Sequence, residues 1–472
     1  MEETKLIDSW IDSHINEMIS DLSLLVSIKS VKGTSSPDIP FGEGPAKALN
    51  EALRICSSYG FFTKNHDNYV GTADLNQRET TLDILAHLDV VDEGEGWTSN
   101  PYRLTVKDGY LYGRGTADDK GPAIAVLYAM RAVKESGITL KYNTRLIMGT
   151  DEESGSRDLE HYFMTEKSAP HTFTPDCAFP VYNIEKGGYK PLIRKTWDLQ
   201  TVLPRVVLFK GGYRLNVLPA EAEAVVAGIT AEELSPIVSN AAAAFRVTCM
   251  HEKTDQGIKI TVRGKSAHAA SPEEGNNGLT ALIGILAALP LSDCPSTQAL
   301  RQLNEVFPHG DNHGKAAGIA MKDDISGDLT IVLSLMTMNE HGLTGRLDGR
   351  IPISANDDNC KAVFEKRLKS LGFSVEGEMT KPHHTPADSP FIRTLLNCYE
   401  RYTGKRGSCL SMGGGTYVHD IEGGVAFGAT MPGFQSNIHG SGEHIALDDL
   451  ITACKIYARV ILEMCREAPF DT

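Results

Sequence analysis

Two short apolar runs, Leu82-Asp83-Ile84-Leu85-Ala86 and Arg145-Leu146-Ile147-Met148-Gly149, each end directly in a cluster of His and carboxylate side chains. Both read as buried strands. The first delivers His87 and Asp89 at its C-terminal end, and Thr150-Asp151-Glu152-Glu153 lies just past the second. Between them, Asp118-Asp119-Lys120-Gly121 leads into Pro122, a good first helical residue, and then an apolar helix to Val133 with Gly137 placed to cap it. Strands alternating with helices define an α/β layer, in which ligands bind outside the carboxyl ends of the strands. The charged clusters fall where that rule puts a site.

The pattern changes along the chain. Residues 7–28 place Ile7, Trp10, Ile11, Ile15, Met18, Ile19, Leu22, Leu25 and Ile28 at three- and four-residue spacings, which predicts one amphipathic helix. In the middle, Ile258, Ile260 and Val262 alternate with Lys259 and Thr261, as in a half-exposed strand of an antiparallel sheet. Thr330–Met338 and Gly345–Ile351 read as further strands, and Ala281–Leu289 and Lys361–Leu371 as helices. From about residue 383 a helix (Phe391–Tyr402), a Gly-rich loop and a short strand (Val425–Gly428) return. The simplest account is an α/β domain, residues 1–185 and 382–472, interrupted by an inserted α+β domain of residues 186–381.

Composition removes several function classes. The 472 residues carry 46 Lys+Arg against 61 Asp+Glu, a formal charge of −15 with no long basic run, which argues against nucleic acid as a partner. No stretch approaches the ~18 consecutive apolar residues of a membrane span, and the charged first 20 residues do not read as a secretory leader. The nine scattered cysteines, with no CxxC pair, read as reduced and mostly buried, which predicts a cytoplasmic protein.

His87-Leu88-Asp89, Asp118-Asp119, Glu152-Glu153, Asp176 and His439 supply neutral imidazole and carboxylate, the ligand set of zinc, or of manganese and cobalt. One His-x-Asp is weak evidence; five such segments, four of them after apolar runs, point to a metal site. His383-His384, His309 and His313 sit in polar, turn-rich stretches and read as loop residues. Gly413-Gly414-Gly415 is not a phosphate loop, since no Gly-Lys-Ser/Thr follows; Gly414 and its neighbours let backbone approach a substrate closely.

Ala86-His87-Leu88-Asp89-Val90-Val91, Gly113-Arg114-Gly115-x-x-Asp118, Asp151-Glu152-Glu153-Ser154-Gly155 and Gly264-Lys265-Ser266-Ala267-His268 resemble the motifs of one dinuclear metallopeptidase family. It includes carnosinases, aminoacylases, succinyl-diaminopimelate desuccinylases and bacterial dipeptidases, and the length, insertion and Gly-rich loop resemble the last most. The resemblance implies a zinc-peptidase-like catalytic domain, a mixed sheet flanked by helices, with the insertion as a lid. It also implies two divalent metal ions, zinc first, with manganese or cobalt as alternatives. Asp118 would bridge them, one ion also taking His87 and Asp176, the other Glu153 and His439; in relatives the bond after that Asp is often a non-proline cis peptide. Asp119 then reads as the next turn residue, and Asp89 as the carboxylate that holds the His87 ring. Glu152 would be the base that takes a proton from a water between the metals and passes it to the leaving amine. His268 would stabilise the oxyanion, while Asn216 and Arg350 would hold the substrate's terminal carboxylate.

Two departures stand out: Asp92 replaces a customary Pro, and Val418-His419 follows Thr416-Tyr417 where a small residue and Arg are common. The resemblance therefore implies a monomeric, cytoplasmic dipeptidase, a hydrolase acting on small dipeptides. An N-acyl amino acid deacylase on the same scaffold is the alternative, and a catalytically inactive binding protein the rival from another class.

Overall fold

The computed structural model describes residues 2–466, and the chain divides into two compact units. The first takes the chain up to Ile184, then His384–Leu410, and again from Gly415 onward; the second comprises Glu185–His383 and Ser411–Gly414.

The first unit is built on a mixed sheet in the order Phe62–His66, Val70–Asp74, Asn143–Gly149, Thr80–His87, His171–Thr174, Val425–Ala426 and Val181–Glu185. The four central strands are mutually parallel and the outer ones antiparallel. The apolar run at Leu82–Ala86 is continuous because both faces are covered. Leu82, Ile84 and Ala86 pack with Leu146 and Met148 into the core beneath the helices Lys120–Glu135 and Leu447–Cys465. Leu85 and Ile147 face the opposite side, against Leu159 and Tyr162 of the helix Arg157–Phe163. His87, Gly149 and Thr174 are the carboxyl ends of three adjacent parallel strands.

The amphipathic stretch at 7–28 is two helices, Glu2–Ser13 and Ile15–Val26, and the break has a local cause. The Trp10 carbonyl accepts from Ser13 Oγ at 2.7 Å and lies 2.7 Å from His14 Nδ1, while His14 N–H turns to the Ile11 carbonyl. Side chains thus occupy an acceptor that the helical ladder needs.

In the second unit an antiparallel sheet runs Thr248–Thr254, Gly257–Arg263, Glu221–Ala227, Arg205–Gly211, Thr330–Asn339, Gly342–Ile351, Gly187–Tyr189, Met379–Thr380. Its alternation holds: Ile258, Ile260 and Val262 enter the core with the helix Gly278–Ala288, whereas Lys259 reaches Glu223 at 2.9 Å. Ala231–Phe245 begins with a reciprocal cap in which Thr230 and Glu233 exchange side-chain and backbone hydrogen bonds. His383–His384 forms a short strand where a loop is expected, and His309 packs on Phe245. The chain is thus α/β in its first unit and α+β in its second.

Candidate metal centre

The first unit gathers His87, Asp89, Asp118, Glu152, Glu153, Asp176 and His439 at the carboxyl ends of its parallel strands. The strand Thr80–His87 carries the fully buried His87 to its end, and the Asp119 carboxylate accepts the His87 backbone N–H at 3.1 Å. Asp119, expected as a turn residue, lies in a bend before the helix Lys120–Glu135 and also supports that strand end from a buried position. The Asp118–Asp119 peptide is cis.

One Asp118 oxygen lies 2.9 Å from His87 Nε2 and the other 2.9 Å from His439 Nε2. Each imidazole has a second carboxylate beside it: Asp176 Oδ2 at 3.6 Å from His87 Nε2, and Glu153 Oε1 at 3.1 Å from His439 Nε2. Ligand atoms of His87, Glu152 and Asp176 lie within 4.8 Å of one another, as do those of His87, Asp118 and Glu153. His439 projects from a left-handed turn at φ 60°, a conformation a non-glycine residue holds only when its surroundings fix it.

Asp89 reaches the His87 ring chiefly through its backbone carbonyl, 3.0 Å from Nδ1. Its carboxylate, 3.5 Å from that nitrogen, accepts the backbone N–H groups of Glu152 (3.2 Å) and Glu153 (3.1 Å). One residue therefore orients both an imidazole and the turn that presents two carboxylates.

The donor set fits divalent cations. Burial pushes the Glu152 carboxyl well above its usual range, with Asp176 and Glu153 adding to it, and burial and Asp118 raise the carboxyls of Asp176 and Glu153. Burial opposes charge on His87 as well, yet Asp118, Asp176 and Asp89 pull it well above the imidazole range. Asp118 and Glu153 raise His439 to about 11. Four carboxylates closing on two imidazoles, with His87 and Asp118 buried and the others partly open, need positive charge between them, and oxygen with imidazole nitrogen is the donor chemistry of zinc, manganese or cobalt.

Sequence reasoning missed two supports. Buried Glu443 accepts the N–H groups of Gly115, Ala117 and Asp118 at 3.0, 3.0 and 3.2 Å and pairs with Arg114 at 2.6 Å. Buried Asp158 accepts from Thr150 N–H (2.5 Å), Asp151 N–H (2.9 Å) and the Tyr417 hydroxyl. Neither carries a sequence signal of its own, because a Glu or Asp in a polar segment reads as solvated.

The remaining expected residues lie in the second unit, near one another. The Ala269 N–H donates to the Asn216 carbonyl at 2.9 Å, and Val217 pairs with His268 across a two-stranded ribbon. His268 Nδ1 accepts from the Ala270 N–H at 3.2 Å, so Nε2 is the donor of the neutral ring. Arg350 forms a two-pronged pair with buried Asp348 at 2.6 and 2.9 Å and donates to the Gly413 carbonyl at 2.5 Å. A Cβ at Gly413 would sit 2.7 Å from that of Ala270, whereas one at Gly414 would meet, among the described residues, only Met412, at 3.5 Å.

The model of peptidase family M20/M25/M40 matches residues 84–463, which span both units. The chain belongs to peptidase family M20/M25/M40. This M20 chain is 35% identical over 462 residues to the "Putative dipeptidase YtjP" of Bacillus subtilis (strain 168), covering 95% of this chain and 97% of the relative. It is 32% identical over 457 residues to the "Beta-Ala-Xaa dipeptidase" of Lactobacillus delbrueckii subsp. lactis, covering 95% and 96%. Among solved structures, human carnosine dipeptidase 1 shares the fold with a TM-score of 0.61 at 15% identity, covering 98% of both chains.

Proposed function

We propose that this M20 chain is a metal-dependent dipeptidase, with the first unit as its catalytic part and the second as its lid. The observation that carries the reading is the Asp118 carboxylate shared between His87 and His439, each flanked by a further carboxylate, with Glu152 alongside. The relatives named as dipeptidases over nearly the whole chain support the substrate class.

His87, Asp118 and Asp176 would hold one cation and Asp118, Glu153 and His439 the other, zinc first and manganese or cobalt next. When bound, such cations polarise the scissile carbonyl and lower the pKa of water. Glu152 takes the proton of the attacking water and returns it to the departing amine, which suits a carboxyl whose proton affinity is raised by burial. Asp89 fixes the turn bearing that carboxylate and the tautomer of His87. His268 Nε2 serves as the oxyanion donor, while Asn216, Arg350 and the open backbone at Gly414 take the terminal carboxylate. Among the described residues no helix is long and apolar enough to cross a membrane, and no disulfide joins any of the nine cysteines. A cytoplasmic monomer that acts without nucleic acid is the setting we infer.

The test is hydrolysis by chelator-stripped protein reloaded with zinc, manganese or cobalt, given matched dipeptides, a tripeptide and N-acetyl amino acids. Cation-dependent cleavage confined to dipeptides is expected. Cleavage of the acetylated compounds alone would move the chain to the deacylases. Glu152→Gln should keep its metal while kcat falls by about 10²-fold to 10⁴-fold; near-normal turnover would remove Glu152 as the base.

A further inference from the structure

The turn that presents Glu152 and Glu153 hangs from three carboxylates. Asp89 holds its far end, as described above. Asp151 is fully buried within it and takes Lys32 Nζ at 2.5 Å. Its near end, where the chain leaves the strand Asn143–Gly149, rests on Asp158, whose Oδ2 accepts the N–H groups of Thr150 and Asp151 together with the Tyr417 hydroxyl. Oδ1 of the same carboxylate accepts its own helix's Leu159 N–H at 2.8 Å.

Tyr417 adds a second contact. Its ring stands edge-on to the His87 imidazole, with centroids 6.2 Å apart and planes at 89°. One buried side chain therefore meets both the imidazole that faces Asp118 and Asp176 and the carboxylate under the Glu152 turn. Gly149 leaves the space that this needs: a Cβ there would collide with the Tyr417 hydroxyl and with Asp158. The tyrosine comes from a segment about 260 residues away in sequence, so the contact depends on the tertiary fold and not on a local turn.

We propose that Asp158 and Tyr417 are a positioning pair that sets the height of the Glu152 turn relative to the His87 ring. The inference rests on Glu152 acting as the base. Neither residue touches the reacting atoms. The hydroxyl supplies the third donor to Asp158 Oδ2; without it the carboxylate keeps its backbone N–H donors but loses its tie to the segment that carries Tyr417. A shift of about 1 Å at a proton-transferring group costs on the order of 10²-fold in rate.

The experiment compares cation-loaded wild type with Tyr417→Phe, Asp158→Asn, Asp158→Ala and Glu152→Gln, reading kcat, KM and bound metal for a dipeptide substrate. Tyr417→Phe keeps the ring against His87 and removes only the hydroxyl. It should lower kcat by about 10-fold to 100-fold with unchanged metal content and KM within about threefold. Asp158→Asn, which retains an amide oxygen to accept one N–H, should keep more activity than Asp158→Ala. A Tyr417→Phe enzyme with kcat within about twofold of wild type overturns the proposal, and so does a loss of activity that follows a loss of metal. If Glu152→Gln is inactive while Tyr417→Phe is normal, only the pair falls. If Glu152→Gln is itself active, the assignment of the base falls first, and the pair has nothing to position.

Discussion

Glu443 shows how much a single buried carboxylate can organise. Its Oε1 takes three backbone N–H groups from the turn that carries Asp118, and its Oε2 takes the Arg114 guanidinium, itself buried. Replacing it with Gln preserves the shape but puts an amide N–H₂ against donors and strips Arg114 of its counter-charge. Breaking a buried pair on one side leaves an uncompensated charge, so Glu443→Gln should cost about 3 kcal/mol of stability. It should also weaken cation binding at Asp118, because the turn loses its anchor. Urea midpoints and calorimetric metal titration measure both, and an unchanged midpoint would mean that other contacts hold the turn. The gathering of His87, Asp118, Glu152, Glu153, Asp176 and His439 was legible in the sequence because most of them follow apolar runs, where parallel strands end. Glu443 and Asp158 were not, since their role is to accept backbone N–H groups, and such acceptors have no sequence pattern.

At the scale of the element, the strand Thr80–His87 carries an internal conflict. Asp83 is buried within it: Oδ2 accepts the Ala169 N–H at 2.7 Å, and Oδ1 has no hydrogen-bond partner among the described residues. Burial pushes its carboxyl up to about 6 from 3.8. A raised carboxyl means that the folded state holds the proton more tightly than the unfolded chain. Its stabilising contribution is therefore complete below pH ~4 and is lost as pH rises through about 6, a loss of about 3 kcal/mol. Asp83→Asn should remove this slope, so that the variant gains on wild type between pH 4 and 7 whatever constant offset the amide brings. Parallel stability curves for the two proteins would refute the account. The strand itself was readable from its apolar run, and the Lys259/Thr261 alternation correctly gave an antiparallel strand at Gly257–Arg263. The break at His14 was not readable, because three- and four-residue spacing continues across it; the cause is competition for one carbonyl oxygen, which periodicity does not register.

For the whole molecule, the decisive fact is the distance in sequence between groups that meet. His439 meets Glu153 across 286 residues, Tyr417 meets Asp158 across 259, and Glu443 meets Arg114 across 329. The first unit is thus closed by segments that flank nearly the whole of the second, and its cation site exists only once those segments have docked. An unfolded chain offers the same donors scattered, so cations bind the folded state almost exclusively, and binding free energy becomes folding free energy. A divalent cation at about 100 times its Kd should add about 2.7 kcal/mol per site, which raises Tm by roughly 5 °C or more for a unit of this size. The effect should fade as pH falls, because imidazole and carboxylate must be unprotonated to ligate. Calorimetric scans of chelator-stripped and zinc-reloaded protein at neutral pH and near pH 5 test both statements. Coincident scans at neutral pH would show that the carboxylate and imidazole cluster folds as a set of ion pairs and not as a metal centre.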